Sequence, residues 1–174
     1  MQTPLEIRTA READCESVSE LFAHYVRHSV ATFELVPPSP PEWQSKLKSI
    51  REAGWPFLIA QRGGQLAGFA YVSPWRPKPA YRHTVEDSIY LSAQHMGRGL
   101  GGQLLGRLLA EAATAGAHQV IAVIADTAEP ASIALHRRAG FREVGRLHGV
   151  GYKFGRWIDT TLMQLDLKAQ SPPP

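Results

Sequence analysis

Residues 88–109 read SIYLSAQHMGRGLGGQLLGRLL, and the fold turns on this stretch. Its first residues end a strand over 83–91, HTVEDSIYL. Leu104, Leu105, Leu108, Leu109, Ala112 and Ala113 recur at helical spacing and predict a helix over 99–115 with one apolar face. Between strand and helix stand Gly97, Gly99, Gly101 and Gly102, four glycines in six residues, more than a flexible connection needs. Glycine lets a ligand approach the backbone closely, and the first N–H groups of a helix are free and partially positive. The combination predicts a pyrophosphate cradle, to which Arg98 adds a full charge.

The kind of phosphate ligand can be narrowed. A P-loop needs Lys-Ser/Thr after its glycines, whereas here the chain continues Gly102-Gln103-Leu104, which excludes it. A dinucleotide-binding unit stays open, because Asp126 ends the next strand where a ribose-binding acid would sit. Against it, Ser92 to Met96 separate the strand from the glycines, and the chain closes with strands of antiparallel character.

Outward from this centre the elements follow in order. Leu5 to Ala10 reads as an opening strand, and Thr9-Ala10-Arg11-Glu12 as a capping box that predicts a helix from there to about Arg27. Val18, Leu21, Phe22 and Tyr25 give that helix an apolar face. Four prolines between Pro37 and Pro41 mark a loop; Ser39 and Glu42 frame a second capping box, predicting a helix over 40–52 closed by Ala53-Gly54. Strands at 57–62 and 66–73 turn through Gly63-Gly64 as a hairpin. Beyond the long helix, QVIAVIA at 119–125 reads as a strand buried on both faces. A helix over 130–139 ends at Gly140 with Arg137 and Arg138 in its last turn, and strands over 141–147 and 157–167 finish the chain. With no repeat and no linker, the expectation is one mixed α/β domain over 1–168 and a frayed Pro-rich tail over 169–174.

Composition narrows the function classes. With 174 residues, 44% hydrophobic and 20% charged, the chain can build a real core and shows no mark of disorder. Nineteen basic residues against 16 acidic leave a net charge of +3, too mild for nucleic acid, where basic residues would have to cluster. Cys15, the lone cysteine, excludes an intrachain disulfide, a Cys-rich zinc site and a CxxC pair; near a helix start its thiol would be somewhat acidified. Glu20, His24 and His28 share a helix face but lack a further ligand, so a solvated face and no metal are expected. No run approaches the roughly 18 apolar residues of a membrane helix, and the opening MQTPLEIRTAREAD has no apolar core, so the expectation is a cytoplasmic protein.

Chemistry-bearing residues gather around the strand before the glycines. Glu86 and Asp87 lie mid-strand with apolar continuation, poor places for unpaired carboxylates. Adjacent residues of a strand point to opposite faces, so only one of them can serve a given site. Glu86 is either a site acid or a strand acid paired with Arg82. Arg76 and Arg82 flank the preceding loop and could hold an anion; Trp75, Phe33 and Tyr90 could wall a pocket or fill the core. His136 could move a proton or sit packed and hydrogen-bonded.

Strand, Met96-x-x-Gly99-x-Gly101 and helix together resemble the Q/R-x-x-G-x-G/A acetyl-CoA motif of the GNAT N-acetyltransferases, with Met96 in the Gln/Arg position. The frame Gln94-x-x-Gly97-x-Gly99 also fits the letters. The resemblance runs from EIRTAREAD to DTTLMQLDL. At TFELVPPSPPEW, WRPKPAYRHTVEDSIYL, ASIALHRRAGF and GVGYKFGRWID it narrows to the phosphinothricin and methionine sulfone/sulfoximine N-acetyltransferases.

The resemblance implies the GNAT fold: one mixed, mostly antiparallel sheet of about seven strands with about four helices. It implies transfer of acetyl from acetyl-CoA to the amino group of a small amino acid, by direct attack with Glu86, at the TVE position, as general base. Ile89, Tyr90 and Leu91 would meet the pantetheine amides, the Leu91 N–H would hold the oxyanion, and Met96, Gly97, Arg98, Gly99, Leu100, Gly101 and Gly102 would hold the pyrophosphate. Glu129 stands where relatives carry a CoA-binding asparagine, and His136 where many carry a tyrosine proposed to protonate the departing thiolate. Phe33, Glu34, Trp75, Arg76, Arg82, Thr84 and Val85 fall on the substrate side. Lys153 and the GYKFGRW segment would close the pocket as a loop, from a second subunit of a homodimer. Detoxification of amino-acid analogues is the implied role, with a peptide N-terminal acetyltransferase or a non-catalytic acyl-CoA-binding module as alternatives.

Overall fold

The computed structural model describes residues 4–96, 99–127 and 131–168. Gly97, Arg98, Glu129 and the tail 169–174 fall outside the described residues. Along the chain come β1 (Leu5–Thr9), α1 (Cys15–His28), α2 (Pro40–Glu52), β2 (Phe57–Arg62), β3 (Gln65–Pro74), β4 (Thr84–Leu91), α3 (Leu100–Thr114), β5 (Gln119–Ala125), α4 (Ala131–Arg138), β6 (Arg142–Lys153) and β7 (Arg156–Asp166). The strands form one seven-stranded sheet in the order β1-β2-β3-β4-β5-β7-β6. Every neighbouring pair is antiparallel except β4 and β5. This is the expected mixed α/β architecture, and a single parallel pair leaves no room for a doubly wound dinucleotide sheet.

The period-2 alternation of the strands divides the core in two. Leu58, Ala60, Val72, Val85, Val120 and Met163 face α3, whose Leu104, Leu105 and Leu108 are fully buried against them. Ile59, Phe57, Phe69 and Tyr71 face the other way, under Val18, Phe22 and Val26 of α1 and Trp43, Leu47 and Ile50 of α2. Phe22 meets Trp43 and Tyr90 edge-on at 5.1 and 5.0 Å. β5 is less enclosed than its apolar run suggested, since Val123 is 37% exposed.

Capping follows the residues closely at α2 and departs from expectation at α1. The Glu42 carboxylate accepts both the backbone N–H and the hydroxyl of Ser39, each at 2.7 Å. The first helix, expected from Thr9–Ala10, starts at Cys15. Thr9 is held in the ladder opposite Leu58, and the Ala10 N–H donates to Phe57 O at 2.8 Å, so no helix can begin there. A 3-10 turn over Glu12–Asp14 leads into α1 instead, with Asp14 accepting the Arg11 N–H at 2.6 Å and gripped by Arg8 through two bonds of 2.7 Å.

The last hairpin is longer than its sequence suggested. β6 was expected over 141–147 and runs to Lys153, pairing with β7 through two register shifts. Its glycines at 145, 149 and 151 blur the alternation that marks a strand, and the ladder to β7 overrides them. The turn falls on Phe154 and Gly155, both at positive φ (52° and 73°), the geometry of a two-residue hairpin.

Gly68 of β3 sets how closely β3 approaches the end of β4. A Cβ there would lie 2.7 Å from Leu91 Cδ2 and 2.9 Å from Tyr90 O. Gly68→Ala is expected to destabilise the protein by about 1–3 kcal/mol through overpacking, read as a lowered denaturant midpoint at unchanged m.

Candidate active site

β4 and β5 pair over only three residues, Thr84–Glu86 against Gln119–Ile121. Both strands continue, to Leu91 and Ala125, but they part. The ladder to β3 decides what β4 offers to the gap. Trp75 N–H donates to Thr84 O at 3.1 Å and Ser92 N–H to Ala67 O at 2.9 Å. Alternation between these two points turns the backbones of Glu86, Ser88 and Tyr90 toward β3, and those of Ile89 and Leu91 toward the gap. The Leu91 carbonyl accepts the Tyr25 hydroxyl at 2.6 Å, which leaves the N–H groups of Ile89 and Leu91 as donors to whatever enters.

At the end of β4 the chain makes a short 3-10 turn, Ala93–His95, and passes the half-exposed Met96 before α3. Gly99 caps the helix at φ 74°, a left-handed conformation that a side chain would strain. Gln103 N–H returns to Gly99 O at 3.2 Å, so the N–H groups of Leu100, Gly101 and Gly102 have no partner within the helix. Nothing lies within 4 Å of where a Cβ on Gly102 would stand. A Cβ on Gly101 would sit 3.2 Å from Leu91 and 3.3 Å from Leu135, so glycine there allows the helix end to close on β4 and α4. A groove of about 540 Å³ continues along α3, lined by Gly102, Gly106, Ala110, Leu135, Arg138 and Ala139. An open helix N-terminus beside two unclaimed strand N–H groups suits a chain of phosphates followed by amides.

Glu86 and Asp87 face opposite sides of the sheet and live in different surroundings. Glu86 is half-buried on the α1/α2 side and makes no hydrogen bond or ion pair among the described residues. Burial raises its carboxyl above the usual glutamate range, Asp87 adds to the rise, and Lys46 and Arg76 oppose it. Asp87 is buried under α4, where its Oδ2 lies 2.9 Å from His136 Nε2; its Oδ1 has no hydrogen-bond partner among the described residues. The other ring nitrogen, Nδ1, lies 2.7 Å from Ser132 O. Carboxylate and carbonyl are both acceptors, an arrangement that favours the doubly protonated ring. Burial lowers its pKa, but the bond to Asp87 and that carboxylate's charge outweigh it and the net shift is upward.

The remaining candidates divide. Arg76 lies over the Trp75 ring at 4.9 Å and acts on Glu86; Arg82 is exposed at the end of the turn before β4, and no ion pair joins it to Glu86. Thr84 opens β4 half-buried, while the Val85 side chain, expected on the substrate side, is fully buried in the α3 core. Tyr90 departs from expectation in its backbone, while its ring takes the core alternative. Its backbone is committed to Phe69, and its ring belongs to the aromatic core with Phe22, Tyr25 and Phe69, where burial drives its hydroxyl far above the ordinary phenol range. Phe33 is 39% exposed on the loop after α1, and Glu34 is exposed beside it. GYKFGRW is not a free loop but the β6–β7 turn, with Lys153 buried at its edge. Cys15 is buried too, and burial with Asp14 and Glu12 pushes its thiol up rather than acidifying it. The His24 and His28 rings lie 4.9 Å apart, tilted by 46°, and no cluster of three or more metal-ligating side chains occurs among the described residues. Lys46 was not anticipated. It stands on α2 over the rings of Tyr71 (4.6 Å) and Trp43 (5.3 Å), and its spacing of three from buried Trp43 was the available signal.

Residues 7–162 match the model of the acetyltransferase (GNAT) domain. Over 163 residues the chain is 42% identical to a phosphinothricin N-acetyltransferase of Alcaligenes faecalis, an alignment covering 94% of this chain and 83% of the relative. It is 36% identical to an L-methionine sulfoximine/L-methionine sulfone acetyltransferase of Salmonella typhimurium over 97% of this chain and 98% of that one. The solved phosphinothricin acetyltransferase of Sinorhizobium meliloti, a GNAT superfamily member in complex with acetyl-CoA, superposes with a TM-score of 0.90 at 41% identity, covering 97% of this chain and 93% of its own. A parted parallel strand pair, a glycine-started helix beside it and a match along most of the length place the chain in the GNAT acetyltransferase family.

Proposed function

We propose that the protein transfers the acetyl group of acetyl-CoA to the amino group of a small amino acid or analogue, of the class phosphinothricin, methionine sulfone and methionine sulfoximine. The observation that carries this reading is Glu86, a half-buried carboxylate without an ion-pair partner among the described residues, at the last residue where β4 and β5 still pair. The names of the relatives support the substrate class.

The residues present fit acetyl-CoA. Leu100, Gly101 and Gly102 offer free N–H groups and the charge of a helix N-terminus to a pyrophosphate. Ile89 and Leu91 offer N–H groups in the gap to the pantetheine amides, and Leu91 is placed to stabilise charge on the acyl oxygen. Bound there, acetyl-CoA supplies an activated acyl carbon. Glu86 accepts the ammonium proton of the amino acid, directly or through one water, so that the neutral amine attacks. Its raised pKa makes it a better base than an exposed glutamate. Arg76 and Lys46, both close enough to act on Glu86, supply the positive charge that a substrate carboxylate needs.

Both nitrogens of the His136 ring are already engaged, so its geometry supports a holding role, pinning α4 to β4 through Asp87, over proton donation to the departing thiol. The same reading takes residues 1–168 as one catalytic domain of a cytoplasmic enzyme that detoxifies amino-acid analogues. No helix among the described residues is long and apolar enough to cross a membrane. A homodimer is part of the proposal. β6 is one of the sheet's two edge strands, and Val144, Leu147, Val150 and Tyr152 on it are exposed, with Trp157 across the turn 70% exposed.

Thiol release from acetyl-CoA tests the reading with L-phosphinothricin, methionine sulfone, methionine sulfoximine and a short peptide. Turnover is expected on the amino acids. Glu86→Gln should lower it roughly 100-fold or more and remove the acid limb of the kcat/KM profile. That limb should lie above the usual glutamate range, with activity lost as the pH falls and Glu86 is protonated. Turnover of the peptide alone would replace the substrate class.

His136 gives a separate prediction on stability. Its folded pKa is raised, so its contribution is complete below the unfolded value of about 6.5 and is lost as the pH rises through the folded value. His136→Leu, which strands Asp87, is expected to cost about 3–5 kcal/mol at acid-to-neutral pH and to flatten the dependence of Tm on pH.

A further inference from the structure

The loop between α1 and α2 crosses the mouth of the parted strands and touches both sides of it. On the far side Val30 forms a small buried cluster with Ala125, the last residue of β5, and Ile158 of β7. On the near side the Thr32 side chain lies close enough to the Tyr90 hydroxyl on β4 to act on its ionisation. The loop is kept compact by its own side chains, Ser29 Oγ accepting the Ala31 N–H at 3.0 Å and Thr32 Oγ1 the Glu34 N–H at 3.1 Å.

Two residues of β6 hold this loop from above. Lys153, only 3% exposed, donates from Nζ to Ser29 O and to Thr32 O, both at 2.7 Å. A buried ammonium costs free energy unless its protons are taken up, and here two backbone carbonyls of one loop take them. Gly151 lies two residues before Lys153 and so on the same face of the strand, opposite Ile158 in the ladder. A Cβ on Gly151 would fall on Cε2 and Cζ of Phe33 and within 2.9 Å of its Cδ2. The absent side chain is the seat of the Phe33 ring. Lys153, Gly151 and Ile158 thus present one surface, and residues 29–33 are moulded to it.

We propose that Lys153 and Gly151 are positioning residues for the amino-acid substrate, clamping loop 29–36 across the mouth of the β4–β5 gap so that Phe33 forms a fixed wall beside the reacting amine. The inference rests on the reading of the site as an amino-acid acetyltransferase. It assigns to this one chain's β6 a contact with the substrate wall that the α1–α2 loop alone could not hold, since the loop has no secondary structure of its own across 29–36.

Steady-state kinetics of Gly151→Ala, Lys153→Met, Phe33→Ala and Gly151→Ala/Phe33→Ala test it, with acetyl-CoA and whichever of phosphinothricin or methionine sulfone the wild type turns over faster. Gly151→Ala and Lys153→Met are expected to raise KM for the amino acid roughly tenfold while KM for acetyl-CoA stays within about twofold. In the Phe33→Ala background, where the ring no longer occupies the seat, Gly151→Ala should add less than about a twofold change. Equal effects of Gly151→Ala in both backgrounds, a parallel rise of both KM values, or no change would overturn the clamp. Amide hydrogen exchange on the same proteins reads the clamp without turnover. Protection lost only over 29–36 supports it; unchanged protection, or loss spread through β6 and β7, overturns it. A wild type that acetylates no amino acid would remove the substrate reading, an outcome distinct from either.

Discussion

The structure depends on a parallel strand pair that stops. β4 and β5 share three residues of ladder and then part, and the backbone groups that pairing would have used are left facing each other across a gap. A parallel sheet normally buries such groups in continuous ladders, because unpaired N–H and C=O groups are costly away from water. Here the cost is offset on one side by Tyr25, whose hydroxyl occupies the Leu91 carbonyl, and on the other by β7, which keeps β5 paired to its last residue. What is left over is a pair of donors on Ile89 and Leu91, next to a helix whose first turn also lacks acceptors. Donors from a strand and donors from a helix converge on one strip of space.

The same strand separates two carboxylates by the simplest device available to it. Glu86 and Asp87 are neighbours, yet the pleat turns them to opposite faces. Asp87 meets the His136 ring in the dry interior and is committed to joining α4 to the sheet. Glu86 meets partial burial and two cations at some distance, conditions whose net effect raises its proton affinity. Environment assigns the two roles, as it does wherever one pair of acids performs different tasks. Above them the α1–α2 loop, Lys153 and Gly151 bring the edge hairpin into contact with the same mouth, so the β6 edge reaches the site in the middle of the sheet.

Much of this was legible in the residues. Ser39 and Glu42, Gly63-Gly64, the leucine repeat of α3 and the glycines before it are local signals whose physics is complete within a few residues, and they predicted α2, the β2–β3 hairpin and the helix-end cradle. A carboxylate inside a strand has nowhere inexpensive to go, which marked Glu86 and Asp87 alike; the resemblance singled out Glu86, and only the fold shows Asp87 paired with His136. Where local signals competed with long-range pairing, pairing won. Thr9 to Glu12 spell a helix cap, but the ladder to β2 claims Thr9 and Ala10, and the helix waits for Asp14. The glycines of 145–151 spell a loop, but β7 draws them into a strand.

By itself, then, the sequence determined the elements with short-range logic, the α/β class and the glycine start of the long helix. Only the tertiary structure decided which donors face the gap, because that depends on the phase of the β3–β4 ladder. Only it decided that His136 is bound at both nitrogens, that Tyr90 and Val85 belong to the core, and that Lys153 reaches a loop 121 residues away in sequence. These are properties of pairs distant along the chain, and a side chain's chemistry carries no record of which partner the fold will bring to it.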